Sequence, residues 1–222
     1  MHQKYRNTSP WIGSLTQKDK NTIASKQWLT SDIIEEVHSI LSKQFTLISG
    51  FQTPCNAPAY NTTLKKWVSN NSFTEQQGPA VQIHHTENHL WVTSILTHTN
   101  ELFLLDSMYD KLTTSLEIQL FQVYSNSKKR LLVKIPEVQK QTNKIDCGLY
   151  AIVNAVEFCF TSFSGGLHIE FNQQLMRDHL ISCLEKGQFS VFPPKVKMSK
   201  NVRSSARAVW LSQTVNVEKQ IP

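Results

Sequence analysis

Residues 147–160, CGLYAIVNAVEFCF, are apolar on nearly every face of a helix. Leu149, Ala151, Ile152, Val153, Ala155, Val156, Phe158 and Phe160 leave little polar surface to turn toward water. A helix of that kind belongs inside a domain, so the other elements must be arranged around it. A polar loop, QTNKID, leads into it, and a thiol and a glycine, Cys147 and Gly148, stand at the junction.

The flanking patterns supply the covering elements. Residues 32–45 read as a helix, with Asp32 as N-cap, Glu35 three residues on, and Ile33, Val37, Ile40 and Leu41 as one stripe. Residues 50–80 carry Gly50, Pro54, Pro58, Gly78 and Pro79 and read as loop, with a short element around LKKWV. VQIHH, HLWVTSIL and ELFLLD have strand character, and THTN (97–100) separates the last two as a hairpin loop. A helix is expected over 113–124, a strand at RLLVKIPEV, and a last amphipathic helix over 172–185, stopped by Gly187. This order predicts an α+β domain with a central buried helix on a mostly antiparallel sheet.

At 222 residues the chain accommodates one well-buried domain. Residues 1–26 are polar and weakly patterned, 27–194 form the expected body, and 195–222 form an expected flexible tail. Of the net charge of +6, residues 191–222 hold +5: Lys195, Lys197, Lys200, Arg203, Arg207 and Lys219 against Glu218. Such a tail suits weak nucleic-acid contact or nuclear import, or is simply solvated. No 18-residue apolar run exists and residues 1–14 lack the apolar core of a signal peptide, so no membrane partner is expected. Cys55, Cys147, Cys159 and Cys183 show no CxxC pairing, which fits free thiols in the nucleus or cytoplasm.

With Asp146 as its N-cap, the helix would hold Cys147 in its first turn. There the helix dipole and free N–H groups favour the thiolate. Gly148 keeps bulk away from the sulfur, so a substrate backbone can approach. A nucleophilic thiol calls for an imidazole held by a third group. If THTN closes the hairpin with Leu96 facing Glu101, Trp91 lies opposite Asp106 and His89 diagonal to it. That spacing is one a carboxylate and an imidazole can bridge. Gln141, six residues before Cys147, could aim an amide at a developing oxyanion, with the Cys147 N–H as second donor.

His89, a 17-residue step to Asp106, then Gln141 before Asp-Cys-Gly: this order resembles the ubiquitin-like-protein cysteine proteases, the SUMO proteases with their deneddylase and adenain relatives. The matching pieces are WLTSDII (28–34), NHLWV (88–92), LLDSMYDKL (104–112) and QTNKIDCGLYA (141–151), spanning roughly 27–194. FNQQLMRDHLISCLEKGQFSVFP (171–193) also resembles the end of protease domains carried by animal mobile-element-derived genes. The resemblance implies a papain-like fold and a thiol isopeptidase acting after the Gly-Gly of a ubiquitin-like modifier. It implies Cys147 as nucleophile, His89 as base and acid, Asp106 as its orienter and Gln141 as oxyanion donor. Trp28 and Trp91 would wall a channel that only glycines can pass. The partners would be the modifier and its conjugates, and no cofactor is implied.

The family usually reads His-Trp, whereas Leu90 intervenes here. A β-bulge at Leu90 is expected to absorb the extra residue. The competing readings are a modifier-binding module that has lost efficient chemistry and an acyltransferase using the same triad. A metal protein built on His84, His85 and His89 is disfavoured, because neighbouring histidines on a strand point to opposite faces and no fourth ligand is evident.

Overall fold

The computed structural model describes residues 9–69, 71–86, 90–108, 112–125, 130–163, 169–197, 206–213 and 217–219. In chain order the elements are β1 (Pro10–Ile12), β2 (Leu15–Thr16), α1 (Gln17–Ala24), α2 (Ser31–Gln44), β3 (Ser49–Gly50), a 3-10 turn (Pro54–Asn56), β4 (Ala59–Asn61) and β5 (Lys66–Ser69). The central part follows as β6 (Ala80–Thr86), β7 (Leu90–Leu96), β8 (Leu102–Leu105), α3 (Thr114–Tyr124), β9 (Arg130–Ile135) and α4 (Cys147–Thr161). The chain closes with β10 (Ile169–Phe171), α5 (Gln173–Lys186), β11 (Pro194–Lys197), β12 (Arg207–Ser212) and β13 (Val217–Lys219).

The main sheet has the order β12-β9-β8-β7-β6-β3, with β8–β9 and β6–β3 parallel and the other pairs antiparallel. Helix α4 lies against β7 and β6 and is backed by α2. Its Leu149, Ile152, Val153, Ala155, Val156 and Phe158 are all fully buried, as an all-round apolar helix requires. Alternation along β7 sets the two faces of the sheet. Thr93 Oγ1 donates to Ala151 O of α4 at 2.7 Å, whereas Ser94 meets Tyr124 of α3 at 2.8 Å. The α4 face therefore carries Trp91, Thr93 and Ile95, with His85, Ile83 and Val81 opposite them on β6.

Several sequence expectations are corrected. Helix α2 is capped by Thr30, whose side chain accepts from Ile33 N–H, and Asp32 sits inside the first turn. The β7–β8 hairpin pairs Thr97 with Glu101, and Asn100 takes a left-handed φ of 58°. Asn tolerates that conformation, so a turn one residue tighter than expected closes the hairpin. The register becomes Leu96↔Leu102 through Thr93↔Leu105, and its continuation sets Asp106 level with Val92, not Trp91. No bulge occurs at Leu90: the pairing runs regularly from Ala80↔Leu96 to His85↔Trp91 and Thr86↔Leu90. His89 lies outside the described residues.

Described segments near both ends of the chain join the body. Leu15 and Ile23 are in the core, and Lys20 pairs with Glu185 at 2.6 Å across the α1–α5 contact. Within the stretch read as a flexible tail, β12 pairs along all of β9 and buries Leu211. Alternating Val209 and Leu211 supply the apolar face that a sheet edge needs.

Two fully buried histidines lie under the sheet and behind α2. His84 Nδ1–H donates to Gln119 Oε1 at 3.0 Å, and its Nε2 accepts from Ser94 Oγ at 2.6 Å. His38 Nδ1–H donates to Gln52 O at 3.1 Å, while its Nε2 is buried without a partner. Desolvation lowers His84 to about 4 and His38 to about 3, so both are neutral in the native protein.

Because the unfolded chain protonates both residues near 6.5, their contribution is complete above that pH and is lost as pH falls toward 4 and then 3. The melting temperature should therefore drop steeply between pH 6.5 and 4, each histidine contributing up to ~1.4 kcal/mol per pH unit. His84→Gln should flatten this acid limb in thermal melts. Truncation after residue 205 should lower the melting temperature and soluble yield by uncovering β9, and an unchanged melt would show that β12 adds nothing.

Candidate active site

The loop 141–146 delivers Cys147 to the first turn of α4, but its capping differs from the expected one. Asp146 has no side-chain cap bond to the helix; its carboxylate turns away to Arg177 of α5. Oδ1 accepts from Arg177 Nη2 at 2.5 Å and Nε at 3.1 Å, and Oδ2 from Asn143 Nδ2 at 2.7 Å and Gln173 Nε2 at 2.9 Å. Burial pushes the Asp146 pKa up, but the bonds from Asn143, Arg177 and Gln173 and the guanidinium charge outweigh it and hold the carboxyl below its ordinary value. A neutral residue here would leave Arg177 as a buried unpaired cation.

The backbone N–H groups around the Cys147 sulfur, those of Trp91, Gly148 and Cys147 itself, favour its anion. Burial opposes them and is the larger effect, and the Asp106 carboxylate adds to it, so the thiol lies above its ordinary pKa. The helix terminus alone does not make this cysteine a thiolate. Cys147 is 2% exposed, and Cys55 is the exposed thiol, its Sγ 3.7 Å from Glu35 Oε1. Surface alkylation is therefore expected first at Cys55.

Asp106 is buried at the end of β8, where its Oδ1 accepts from Met108 N–H at 2.8 Å. Lys140 Nζ donates to Asp106 O at 3.2 Å. Gln141 is tied to the same corner: its N–H donates to Ser107 O at 3.0 Å, and its Oε1 accepts from Ser107 Oγ at 2.8 Å. Its Nε2 donates to Asn143 O at 2.5 Å, which fixes the amide orientation. The nucleophile loop and the end of β8 are thus stitched together through Gln141.

The aromatic residues divide. Trp28 is half exposed and donates from Nε1 to Lys144 O at 2.9 Å, so it flanks the loop as an open aromatic surface. Trp91 is 4% exposed and lies with its ring 4.5 Å from that of His85. A Cβ on Gly148 would stand 3.1 Å from Leu29 Cβ and 3.2 Å from Trp91 Cδ1. Gly148 therefore permits the close approach of Leu29 and Trp91 to α4, a packing reason beside the expected opening for substrate. His84, the other member of the HH pair, belongs to the opposite face with α3 and takes no part here.

Sequence reading missed Arg177 and Leu29. Arg177 does carry a signal: Arg177, Leu180 and Leu184 share the i, i+3, i+7 stripe that α5 buries, and a cation on such a stripe needs an anion. Which anion it meets is a matter of tertiary structure.

No protein-family model matches the chain, and no curated protein matches it. Solved structures do. The C-terminal Ulp1 protease domain in complex with Smt3, the yeast ortholog of SUMO, superposes with a TM-score of 0.55 at 13% identity, over 83% of this chain and 90% of that one. Ulp1 with its catalytic cysteine oxidised to a sulfenic acid gives 0.53 at 15% identity, over 78% of this chain and 84% of that one. A de-sumoylating protease gives 0.53 at 14% identity, over 83% and 92%. Likeness at these identities is one of fold. The chain has the α+β, papain-like fold of the Ulp1-type ubiquitin-like-protein proteases.

Proposed function

We propose that the protein is a thiol protease or isopeptidase that cleaves after the C-terminal Gly-Gly of a ubiquitin-like modifier, with modifiers of the SUMO class as the first candidates. One observation carries this reading. The buried Cys147 sulfur lies at the N-terminus of the central helix, where nearby backbone N–H groups favour its anion, with the buried Asp106 close enough to act on it electrostatically. A structural cysteine has no use for such a setting, whereas a sulfur that must become an anion does. The fold neighbours support the same reading, one of them being a protease domain bound to Smt3.

In this mechanism His89 removes the Cys147 proton, giving an ion pair that offsets the burial now holding the thiol neutral. The thiolate attacks the carbonyl carbon of the last glycine. The negative charge passes to the carbonyl oxygen, for which the Gln141 amide and the Cys147 N–H are the proposed donors. On collapse the C–N bond breaks, and His89 returns the proton to the departing amine. Water activated by His89 then cleaves the thioester and frees the enzyme. Asp106 acts as orienter of His89, and its burial makes its charge effective. Trp28, exposed beside the loop, is the proposed aromatic surface for the glycine tail.

A specific observation favours a second reading, a modifier-binding module with little turnover: Trp91 is buried, packed against His85 and beside Gly148, and offers no open aromatic face. A panel of modifiers bearing C-terminal vinyl sulfone or propargyl groups separates the two. Covalent capture at Cys147 supports the enzyme; binding without capture supports the module.

Cys147→Ala should abolish capture and turnover while retaining the cooperative melt. Asp106→Asn should lower kcat by roughly 10⁴ if it orients His89 as in other triads. Gln141→Ala should cost ~2.7–4 kcal/mol of transition-state stabilisation, read as kcat/KM on a modifier–fluorophore substrate. Full activity of Gln141→Ala would reduce that residue to a loop brace.

A further inference from the structure

Arg177 lies 31 residues from Asp146 in sequence, on a different helix, and is 6% exposed. It spends its donors in three directions. Two go to Asp146 Oδ1; Nη1 donates to Ile23 O at 2.9 Å, and Nη2 also donates to Gln27 O at 3.0 Å. Ile23 O belongs to the last turn of α1, and Gln27 directly precedes Trp28 and Leu29. Leu29 in turn presses on Gly148, and Trp28 grips the loop at Lys144 O. One buried cation therefore holds the nucleophile loop on one side and the Trp28–Leu29 segment on the other.

The anchoring continues toward the proposed oxyanion donor. Asp146 Oδ2 holds the Asn143 amide; Asn143 Oδ1 accepts from the N–H groups of Ile145 at 2.9 Å and Asp146 at 3.0 Å. Asn143 O then accepts from Gln141 Nε2, and Gln141 Oε1 accepts from Ser107, the neighbour of Asp106. Every member of this chain is bonded on both sides, so a shift at Asp146 has no slack to dissipate in before Gln141.

We infer that Arg177 is a positioning residue: its guanidinium clamps the Cys147 loop against the Trp28 segment and, through Asp146 and Asn143, sets the aim of Gln141. The inference rests on the proposed hydrolytic role of that loop. Only a planar fork of five donors meets this set of acceptors. Lysine, with one compact ammonium, can hold Asp146 but not the two carbonyls as well.

The test uses Arg177→Lys and Asp146→Asn in a Cys55→Ser background, so that only the three buried thiols remain to be alkylated. Both variants should still melt cooperatively at a lowered temperature, Asp146→Asn the lower because it leaves Arg177 unpaired, and their kcat on a modifier–fluorophore substrate should fall roughly 10–100-fold with KM little changed, as expected for misplaced reacting groups. Iodoacetamide alkylation, read by peptide mapping, should accelerate at Cys147 while Cys159 and Cys183 stay protected. Acceleration of all three together, or wild-type kcat in a folded variant, would overturn the clamp. Should Arg177→Lys fail to melt cooperatively, Asp146→Asn decides by the same readouts. Alkylation needs no modifier, so it judges the clamp even if no modifier is hydrolysed, an outcome that would count against the proposed function alone.

Discussion

Helix α4 is apolar on nearly every face, with only Asn154, Glu157 and its C-terminal end reaching toward water. That constraint organises the molecule: β6 and β7 cover one side, α2 backs the other, and the ends of the chain add α1, α5 and β12 around the same core. The cost falls at the helix N-terminus, where N–H groups without an intrahelical acceptor sit inside the protein with no side-chain cap from Asp146. Those of Cys147 and Gly148, together with that of Trp91, favour a negative charge on the Cys147 sulfur. The setting that favours an anion is thus a by-product of burying an apolar helix up to its first residue.

Burial also works against that anion. Desolvation raises the thiol, and the neighbouring Asp106 raises it further. The balance tips only if a cation approaches, which is why the imidazole assigned to His89 is central to the proposed chemistry. Two carboxylates bracket the site and are handled differently. Asp146 is neutralised by Arg177 and spent on architecture; Asp106 ends an apolar strand with one oxygen engaged by Met108 N–H. A buried pair like Asp146–Arg177 is weak evidence for stability but a good device for fixing one geometry.

Much of the architecture was legible in the sequence. The all-round apolar 147–160 run, the alternating VQIHH and HLWVTSIL, and Gly187 after the last helix each report a local property, and local properties survive without tertiary context. The elements they predicted appear within a residue or two of their expected limits. The failures were of another kind. Asp32 and Thr30 are both competent caps, and the choice between them turned on which one faced Ile33 N–H. The hairpin missed by one residue because THTN can close in more than one way, and the left-handed Asn100 decided it. The bulge at Leu90 did not form, because β6 supplies a partner for every residue from Leu90 to Leu96.

For the candidate site, Cys147 and Asp106 stood out locally, as a thiol before a buried helix and a charge ending an apolar strand, whereas Gln141 rested on its place in the entering loop and on the family resemblance. The sequence by itself determined the central helix, the strands that flank it and the thiol–glycine junction at its start. What Asp146 binds, why Gly148 must lack a side chain and how Gln141 is aimed were decided only by the tertiary structure. Asp146, Gly148 and Gln141 answer to Arg177, to Leu29 and Trp91, and to Ser107, partners brought together from distant segments. Side-chain chemistry states what a residue can bind; only packing states which partner arrives, because burial removes water as the alternative.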